Sequence, residues 1–412
     1  MQNQLYKILI VDDNPNNIQL LGSILSSAGY EAEFATNGFD ALDWVATDHF
    51  DIILLDIMMP EMDGYEVCKR LKKNEKTAHI PVIYITAKQD TESIVEAFET
   101  GAVDYISKPF KEQELLARLG YHLELLTTKR KLEILNRELQ EKNDTMMQSI
   151  RYAEKLQEAM LPHQNMIKQS FADHFILFRP LQHLSGDFYW AKKMGNKTLF
   201  ILGDSMGHGV PGALLSMLGI SSLNEITNNN SDLTPATILT ELRNREKDTF
   251  GADAGMMHDS IDMAACLFDH ETKTVTFSGA NLPLSIVTEK PLEFEKQPIT
   301  KVKTINNTNK HLITLNGHKN TIGKNVNEET FKNTTVKLNQ NDTVFLYSDG
   351  FPDQFGGIEG KKYMKKNFLK LLVDTHTLPL QKQAAKIQKE YTQWLGSNPQ
   401  IDDVTVIGIQ LY

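Results

Sequence analysis

The chain has 412 residues, 41% hydrophobic and 23% charged, which exceeds the ~250–300 residues of a single core and predicts two or three globular domains. The formal net charge of −10 argues against partners such as nucleic acid or an anionic membrane, because both attract basic surfaces. Two cysteines far apart in sequence, Cys68 and Cys266, and no apolar run near the ~18 residues of a membrane span predict a cytoplasmic protein.

Short apolar runs alternate with helix-period segments over roughly the first 116 residues. The runs are KILIV, EAEFA, DIILLD, PVIYIT and DYIS. Their rhythm of ~20 residues is typical of repeated βα units, in which parallel strands are covered by helices on both faces. We therefore predict an α/β domain over residues 1–120, with a doubly wound, five-stranded parallel sheet.

The next segment, residues 121–161, contains no glycine or proline and predicts a helical connector. Residues of the predicted seam recur at alternating spacings of three and four, as in a coiled coil. They are Leu132, Leu135, Leu139, Lys142, Met146, Ser149, Ala153, Leu156 and Met160. We expect a homodimer through this helix, although Lys142 and Ser149 weaken the seam. The alternative is a helix packed against its own domains.

Beyond Pro162 the pattern changes to β-rich runs with helical stretches between them. The runs include TLFILGD, DMAACLFD, TVTFSGA, DTVFLYSD and DVTVIGIQL, and the helical stretches include Ala213 to Ile226 and Thr237 to Thr249. This mixture predicts an α+β domain over residues 162–412, a layered β-sandwich flanked by helices. Within it, Thr300 to Thr335 is rich in Asn, Thr and Lys and is interpreted as hairpins with loops.

Acidic residues follow two of the N-terminal strands, Asp12 and Asp13 after the first and Asp56 at the end of the third. In a parallel doubly wound sheet these strand ends meet at one crevice. Three carboxylates so close together repel unless a cation neutralises them, and oxygen ligands suit Mg²⁺. We expect Asp13 and Asp56 to hold the ion directly. Thr86 and Lys108 end the next two strands and could hold a phosphoryl group on Asp56.

Each of these residues alone also fits a helix cap, a turn or a solvated charge. Together, the motifs VDD, LLDIMMPEMDG, TA and KP resemble the response-regulator receiver domain. The resemblance implies that Asp56 is the phosphoacceptor, phosphorylated by a sensor histidine kinase in a two-component system. It also implies a Mg²⁺ site at Asp12, Asp13 and Asp56. Thr86 and Tyr105 become the expected switch pair, next to Lys108.

A second set of aspartates lies at the edges of strand-like runs in the C-terminal half. They are Asp187 in SGDFYW, Asp204 in GDSMGHGVPGA, Asp349 in YSDGFPDQ, and Asp402 and Asp403 in QIDDVTVIG. One such aspartate beside a glycine is usually a turn. The joint pattern instead favours a binuclear site in which carboxylates hold two divalent cations ~3.5–4 Å apart and activate a water. The glycines would let backbone carbonyls approach the ions.

These motifs resemble the metal-dependent serine/threonine phosphatase superfamily, PPM, in its bacterial branch of sporulation and stress-response phosphatases. The resemblance implies two Mn²⁺ or Mg²⁺ ions between Asp187 and Asp204, with Asp204 bridging. Asp349 and Asp402 would complete one ion, so these four aspartates form the expected catalytic set. The backbone carbonyl of Ser205 would add a ligand. Asp403 is the alternative to Asp402, which we favour.

The whole pattern predicts a response regulator whose output is a hydrolase, a metal-dependent protein serine/threonine phosphatase regulated by phosphorylation of Asp56. In relatives of this type the substrate is a phosphorylated STAS-domain protein, an anti-sigma-factor antagonist in a partner-switching pathway. The alternative is a receiver-controlled adaptor, in which a catalytically weak phosphatase fold binds a protein partner. A nucleotide-making output is a further alternative, suggested only by the GGIEG stretch at Gly356.

Overall fold

The computed structural model describes residues 6–87, 91–229, 233–250, 260–295, 303–307, 310–323 and 329–411. The chain divides into two compact units, Met1–Asn143 and Asp144–Tyr412. The predicted domain boundaries after residues 120 and 161 stay predictions. Part of the predicted hairpin region, Thr300 to Thr335, lies outside the described residues.

The first unit contains a parallel sheet in the strand order β2-β1-β3-β4-β5. Its strands are β1 (Lys7–Val11), β2 (Glu31–Ala35), β3 (Ile52–Asp56), β4 (Val82–Thr86) and β5 (Asp104–Ser107). Its helices are α1 (Pro15–Ser27), α2 (Gly38–Thr47), α3 (Gly64–Lys73), α4 (Thr91–Glu99) and the start of α5 (Glu112–Met160). The predicted doubly wound fold is confirmed.

Burial explains why the central strands are apolar on both faces. Every residue of β3 and β4 is buried, and alternate side chains enter hydrophobic clusters on opposite sides of the sheet. Helix α1 begins where Asn14 caps it by accepting a hydrogen bond from the Asn16 N–H and where Pro15 occupies its first turn. Strand ends and helix starts therefore meet at the edge that carries Asp12 and Asp56.

Helix α5 is continuous over 49 residues and belongs to both units. Its first turns bury Leu115, Leu119 and Leu123 against the first unit, whereas Leu135 and Leu139 are exposed. The predicted connector is thus helical, and its pairing as a coiled coil stays a prediction. Among the described residues, no helix combines the length and apolar character needed to cross a bilayer.

The second unit begins with the end of α5 and continues through a longer series of elements. Its helices are α6 (Gln164–Ser170), α7 (Gly209–Asn229), α8 (Pro235–Phe250), α9 (Gly350–Asp353), α10 (Lys365–Thr375) and α11 (Leu380–Leu395). Its strands are β6 (Asp173–Arg179), β7 (Asp187–Met194), β8 (Lys197–Ser205), β9 (Ser260–Asp269), β10 (Thr274–Ala280), β11 (Leu284–Thr288), β12 (Glu293–Phe294), β13 (Lys303–Asn307), β14 (Lys310–Leu315), β15 (Ile322–Gly323), β16 (Thr334–Lys337), β17 (Thr343–Tyr347), β18 (Phe355–Gly356), β19 (Lys361–Lys362) and β20 (Val404–Gln410).

Two antiparallel sheets form the centre of this unit. The first, called here the β8 sheet, has the order β12-β16-β10-β9-β8-β7, with β15 beside β9; the second, the β17 sheet, has the order β13-β14-β11-β17-β20-β6. One hydrophobic cluster, with Phe200 and Ile286 among its members, joins the two sheets. Helices α7 and α8 cover the outer face of the β8 sheet, and α10 and α11 cover that of the β17 sheet. The predicted layered sandwich is confirmed.

Candidate active sites

The first acidic cluster lies at the carboxyl edge of the parallel sheet. Carboxylate oxygen atoms of Asp12, Asp13 and Asp56 all lie within 4.8 Å of one another. Asp12 and Asp56 are buried, whereas Asp13 is exposed. Side chains of this kind and spacing could hold a hard divalent cation with waters completing its shell.

Lys108, which follows β5, bridges two of these carboxylates. Its Nζ lies 2.9 Å from Asp12 Oδ2 and 2.9 Å from Asp56 Oδ2. Burial lowers the pKa of Lys108, but the bonds to Asp56 and Asp12 outweigh that effect and keep it above its ordinary value. Burial raises the pKa of Asp56, and Lys108 opposes that rise only in part. A group that adds negative charge at Asp56 would therefore meet a cation already in place.

The two expected switch residues lie on neighbouring strands. Thr86 is the buried last residue of β4, and its carbonyl accepts a hydrogen bond from the Lys108 N–H at 2.7 Å. Tyr105 on β5 is half-buried, with its ring 6.3 Å from that of Phe98. The Lys108–Pro109 peptide bond is cis. Their roles in switching stay predictions.

The second acidic cluster begins with a row of aspartates across three neighbouring strands of the β8 sheet. Asp187 on β7 lies opposite Asp204 on β8, and Asp204 lies opposite Asp262 on β9. Directly opposed residues share one face of a sheet, with Cβ atoms about 4.5–5.5 Å apart. Strand register thus brings together three carboxylates that are 75 positions apart in sequence at most.

Two further aspartates come from the β17 sheet. Asp349 lies between β17 and α9, at the N-cap position of α9, and Asp402 precedes β20. Desolvation and repulsion from its acidic neighbours raise the pKa of Asp204 well above its ordinary value. Those neighbours are Asp187, Asp349, Asp402 and Asp262. Among the described residues, no three of these carboxylates lie as close together as those of Asp12, Asp13 and Asp56.

Asp187 is held between the two sheets. Its Oδ2 accepts hydrogen bonds from Ser348 Oγ at 2.7 Å and Thr405 Oγ1 at 2.5 Å, and it is 2% exposed. Burial raises the pKa of Asp187 to about 7, although both hydroxyl donors lower it. The hydroxyl groups fix one oxygen, which leaves the other for a ligand.

Asp402 and Asp403 differ in how their oxygens are used. Asp403 is buried, and its two oxygens accept hydrogen bonds at 2.6 Å from the backbone N–H groups of Leu181 and Gly186. Asp402 is half-buried, and its Oδ1 accepts a hydrogen bond from the Asp403 N–H at 2.8 Å. Asp403 therefore anchors the loop that leads into Asp187, whereas Asp402 keeps an oxygen free of these backbone bonds.

Ser205 ends β8 next to Asp204 and is buried. Its N–H donates to the Gly186 carbonyl at 3.2 Å. The loop anchored by Asp403 is thus bonded to the end of β8 as well.

Asp262 is a site residue that the sequence patterns did not single out. Its Oδ2 accepts a hydrogen bond from Asn281 Nδ2 at 2.7 Å, while its Oδ1 is buried with no hydrogen-bond partner in the described residues. Burial raises the pKa of Asp262 to about 6. Its only signal in the sequence is an acidic residue at the start of an apolar run, which is also how an ordinary strand begins.

Gln157, near the end of α5, is a second residue that sequence reasoning missed. It is buried, its Nε2 donates to the Ser185 carbonyl at 2.7 Å and to Ser216 Oγ at 2.8 Å, and its Oε1 accepts from the Ser185 N–H at 3.1 Å. Ser185 lies two residues before Asp187. The connector helix is therefore hydrogen-bonded to the loop that carries a site carboxylate.

Comparisons with known proteins agree with this division of the chain. Residues 8–120 match the response regulator receiver domain, and residues 194–412, more than half of the chain, match the stage II sporulation protein E (SpoIIE) family. The SiaA-PP2C domain of Pseudomonas aeruginosa is similar in structure, with a TM-score of 0.56 and 26% identity, over 66% of this chain and 99% of that one.

Two curated relatives share shorter segments. The DNA-binding dual master transcriptional regulator RpaA of Synechocystis is 40% identical over 113 residues, 27% of this chain and 47% of the relative. The response regulator PleD of Caulobacter vibrioides is 44% identical over 113 residues, 27% of this chain and 25% of the relative. The chain thus spans less than half the length of either relative.

The fold and its two acidic clusters define a receiver domain joined to a PP2C-like phosphatase domain. The chain belongs to the SpoIIE family and carries a response regulator receiver domain at its N-terminal end.

Proposed function

We propose that this protein is a two-component response regulator whose output domain is a metal-dependent protein serine/threonine phosphatase. The observation that carries the proposal is the second acidic cluster, in which strand register and loop ends bring together Asp187, Asp204, Asp262, Asp349 and Asp402. Unfolded, these carboxylates would be fully hydrated, so gathering them costs free energy unless a cation compensates.

The residues present fit divalent cations. Desolvation, together with repulsion from neighbouring aspartates, raises the pKa of Asp187 and that of Asp204, and a cation would relieve this repulsion. The proposed carboxylate ligands are Asp187, Asp204, Asp349 and Asp402. The backbone carbonyl of Ser205 is proposed as a further ligand. Mn²⁺ or Mg²⁺ bound there would neutralise charge on a phosphoryl group and lower the pKa of a water that attacks phosphorus.

The protein's own contribution is orientation. Ser348 and Thr405 fix one oxygen of Asp187, and Asp403 fixes the preceding loop through two backbone N–H groups. These bonds hold the carboxylates in place before a substrate arrives, which limits reorganisation during the reaction. We therefore assign Asp402 as the ligand and Asp403 as its structural neighbour.

In the receiver domain, Asp56 is the proposed phosphoacceptor for a sensor histidine kinase. Asp12 and Asp13 would hold Mg²⁺ beside it, and Lys108 would pair with the phosphoryl oxygens. Thr86 and Tyr105 would respond to the new charge. The single helix α5 then offers a route to the phosphatase domain, because Gln157 bonds to the loop before Asp187.

The substrate is proposed to be a phosphoserine or phosphothreonine on a STAS-type anti-sigma-factor antagonist. This part rests on the resemblance to stress-response phosphatases of the same family. A homodimer paired through α5 and a location in the cytoplasm belong to the same proposal.

Phosphate release from a phosphoserine peptide in Mn²⁺ tests the enzyme. We expect wild type to release phosphate and Asp204→Asn to lose at least about a hundredfold in kcat, because a charge-stabilising group is removed. Equal rates for the two proteins would refute the proposed phosphatase activity and favour the alternative of a receiver-controlled adaptor.

Beryllofluoride, which mimics phosphorylated Asp56, tests the regulation separately. It should change the wild-type rate and leave Asp56→Asn unaffected. If beryllofluoride does not alter the wild-type rate, regulation by phosphorylation of Asp56 is refuted. The proposed phosphatase reaction is not affected by that result.

A further inference from the structure

A small hairpin beside the phosphatase site has apolar side chains that face solvent. Strands β18 and β19 pair with each other as a separate two-stranded sheet, and Phe355, Ile358 and Met364 lie in or next to them. Ile358 is fully exposed, and Phe355 and Met364 are 41% and 57% exposed. Apolar side chains that are exposed together at one tip are typical of an interaction site.

The base of the hairpin is firmly anchored. Gln354 is fully buried; its Nε2 donates to the Pro399 carbonyl at 2.9 Å, and its Oε1 accepts from the Tyr391 hydroxyl at 3.2 Å. The Trp394 carbonyl accepts a hydrogen bond from the Gly357 N–H at 2.8 Å, and a side chain at Gly356 would overlap that carbonyl. The exposed tip is therefore presented on a fixed support.

The same segment is strongly basic in an acidic protein. Between Gly356 and Lys370 there are five lysines and one glutamate, whereas the whole chain carries a net charge of −10. Lys361 is 74% exposed and pairs with Glu359, which is also exposed. Exposed ion pairs add little to stability, so Lys361 can exchange its partner. Lys366, in the first turn of α10, is exposed as well.

The hairpin is directly linked to a proposed metal ligand. Lys362 Nζ lies 3.1 Å from Asp353 Oδ2, and the Asp353 N–H donates to the Asp349 carbonyl at 2.9 Å. A molecule that reaches the carboxylate cluster with its phosphate would therefore pass close to these lysines.

We infer that the segment Phe355–Lys366, called here the basic hairpin, is the docking surface for an acidic face of the phosphorylated protein substrate. The inference rests on the proposed phosphatase function. A cluster of carboxylates repels an acidic partner, and a nearby basic surface with an apolar tip offsets that repulsion. Exposed apolar side chains surrounded by charge are typical of the centre and rim of a protein interface.

Two phosphoserine peptides test the inference. They share the residues next to the phosphoserine and differ in flanks of glutamate or lysine. We expect wild type to prefer the glutamate peptide about tenfold in kcat/KM at low salt and to lose the preference at 0.5 M NaCl, where charges are screened. Each value is divided by kcat/KM for p-nitrophenyl phosphate, which has no flanks and corrects for damage to the site.

The test variant is Lys361→Glu/Lys366→Glu, which leaves Lys362 beside Asp353 untouched. Its preference for the glutamate peptide should fall to about twofold or reverse. Lys337→Glu is the matched control, because Lys337 is an exposed lysine of β16 that faces Glu293 at 3.9 Å. It should keep the wild-type preference.

A wild type without preference, or a double variant that keeps it, would overturn the inference. If no substrate is hydrolysed, p-nitrophenyl phosphate included, the proposed function fails instead. Fluorescence anisotropy of the two labelled peptides then still tests docking. Tighter binding of the glutamate peptide to wild type, lost in the double variant, supports the basic hairpin, and equal binding of both peptides contradicts it.

Discussion

Asp187 shows how a buried carboxylate is balanced between opposing effects. Its removal from water favours the protonated acid, whereas the hydroxyl donors of Ser348 and Thr405 favour the carboxylate. Nearby Asp402 and Asp403 oppose ionisation further. Burial is the largest of these effects, so below about pH 7 the metal-free site holds a proton that a bound cation would displace.

The first prediction concerns the pH dependence of the metal-free protein. The pKa of Asp187 is raised to about 7 from 3.8, so the native state binds more protons than the unfolded chain between these values. The free energy of unfolding therefore decreases as pH rises from about 4 to about 7. Asp187→Asn cannot ionise, and its melting temperature relative to wild type should increase from pH 5 to pH 8. Differential scanning fluorimetry in EDTA measures this.

Saturating Mn²⁺ is the control for that experiment. Because the variant lacks a proposed ligand, Mn²⁺ should raise the melting temperature of wild type more than that of Asp187→Asn. If the difference in melting temperature between the two metal-free proteins does not change with pH, titration of the buried Asp187 does not contribute to the pH dependence of stability.

Sequence reasoning reached some of these residues and missed others for a physical reason. Asp187, Asp204 and Asp349 stand beside glycines at strand edges, where an aspartate is conspicuous, and Asp402 stands in an acidic pair directly before an apolar run. Asp262 stands inside a strand, and only the register of β8 with β9 places it opposite Asp204. Gln157 looks like any polar residue of a helix, since its partners are distant in sequence.

At the scale of elements, the loop before β20 depends on Gln354. Besides its bonds to Pro399 and Tyr391, Gln354 Oε1 accepts from the Ile401 N–H at 3.2 Å. Ile401 immediately precedes Asp402. One buried amide thus connects the basic hairpin, α11 and the segment that carries a proposed metal ligand.

The second prediction is that Gln354→Leu weakens this junction. The apolar side chain leaves the Ile401 N–H and the Tyr391 hydroxyl without their acceptor, at a cost of about 1–3 kcal/mol for each buried group. We expect a lower melting temperature and weaker Mn²⁺ binding, measured by titration calorimetry. Gln388→Leu, on the exposed face of α11, should change stability by no more than about 0.5 kcal/mol. Unaltered Mn²⁺ affinity in Gln354→Leu would contradict the positioning role.

The positions of the strands and helices were easier to predict than the pairing of the strands within each sheet. Runs such as IILL in β3 are apolar throughout because both faces of a parallel sheet are buried. The order of strands in the β17 sheet, where β20 lies between β17 and β6, depends on contacts across more than two hundred residues. Local patterns carry no information about such pairings.

The third prediction concerns the exposed seam of α5. Leu132, Leu135, Leu139 and Met146 are each more than half exposed in the single chain. Burial of such side chains in a coiled coil stabilises a dimer, and a charge in the seam opposes it. We expect sedimentation velocity to show a dimer for wild type and a monomer for Leu139→Asp. Gln148→Asp, on the outer face of the predicted coil, should remain dimeric. A monomeric wild type would refute the predicted pairing.

At the scale of the whole molecule, α5 is the element shared by both units. Its beginning packs Leu115 and Leu119 in the receiver core, and its end places Gln157 against Ser185. A continuous helix transmits rotation or displacement along its axis better than a flexible linker does. Under the proposed regulation, a change at Asp56 would reach the loop before Asp187 through this helix.

The fourth prediction is that Gln157→Leu uncouples the two domains. Leucine fills a similar volume but cannot bond to Ser185 or Ser216, so displacement of α5 would no longer pull on the loop. We expect the ratio of phosphatase rates with and without beryllofluoride to fall about fivefold or more towards one, within the usual range of coupling free energies. The ratio, measured on a phosphoserine peptide in Mn²⁺, separates lost coupling from a general loss of activity.

Lys155→Leu is the matched control, because Lys155 lies two positions earlier on the exposed face of α5. The Lys155→Leu variant should keep the wild-type ratio, since among the described residues Lys155 makes no hydrogen bond or ion pair with the loop before Asp187. If Gln157→Leu responds to beryllofluoride as strongly as wild type does, the coupling does not run through this hydrogen-bonded contact. Loss of response in Gln157→Leu alone would instead identify the end of α5 as the place where the receiver acts on the site.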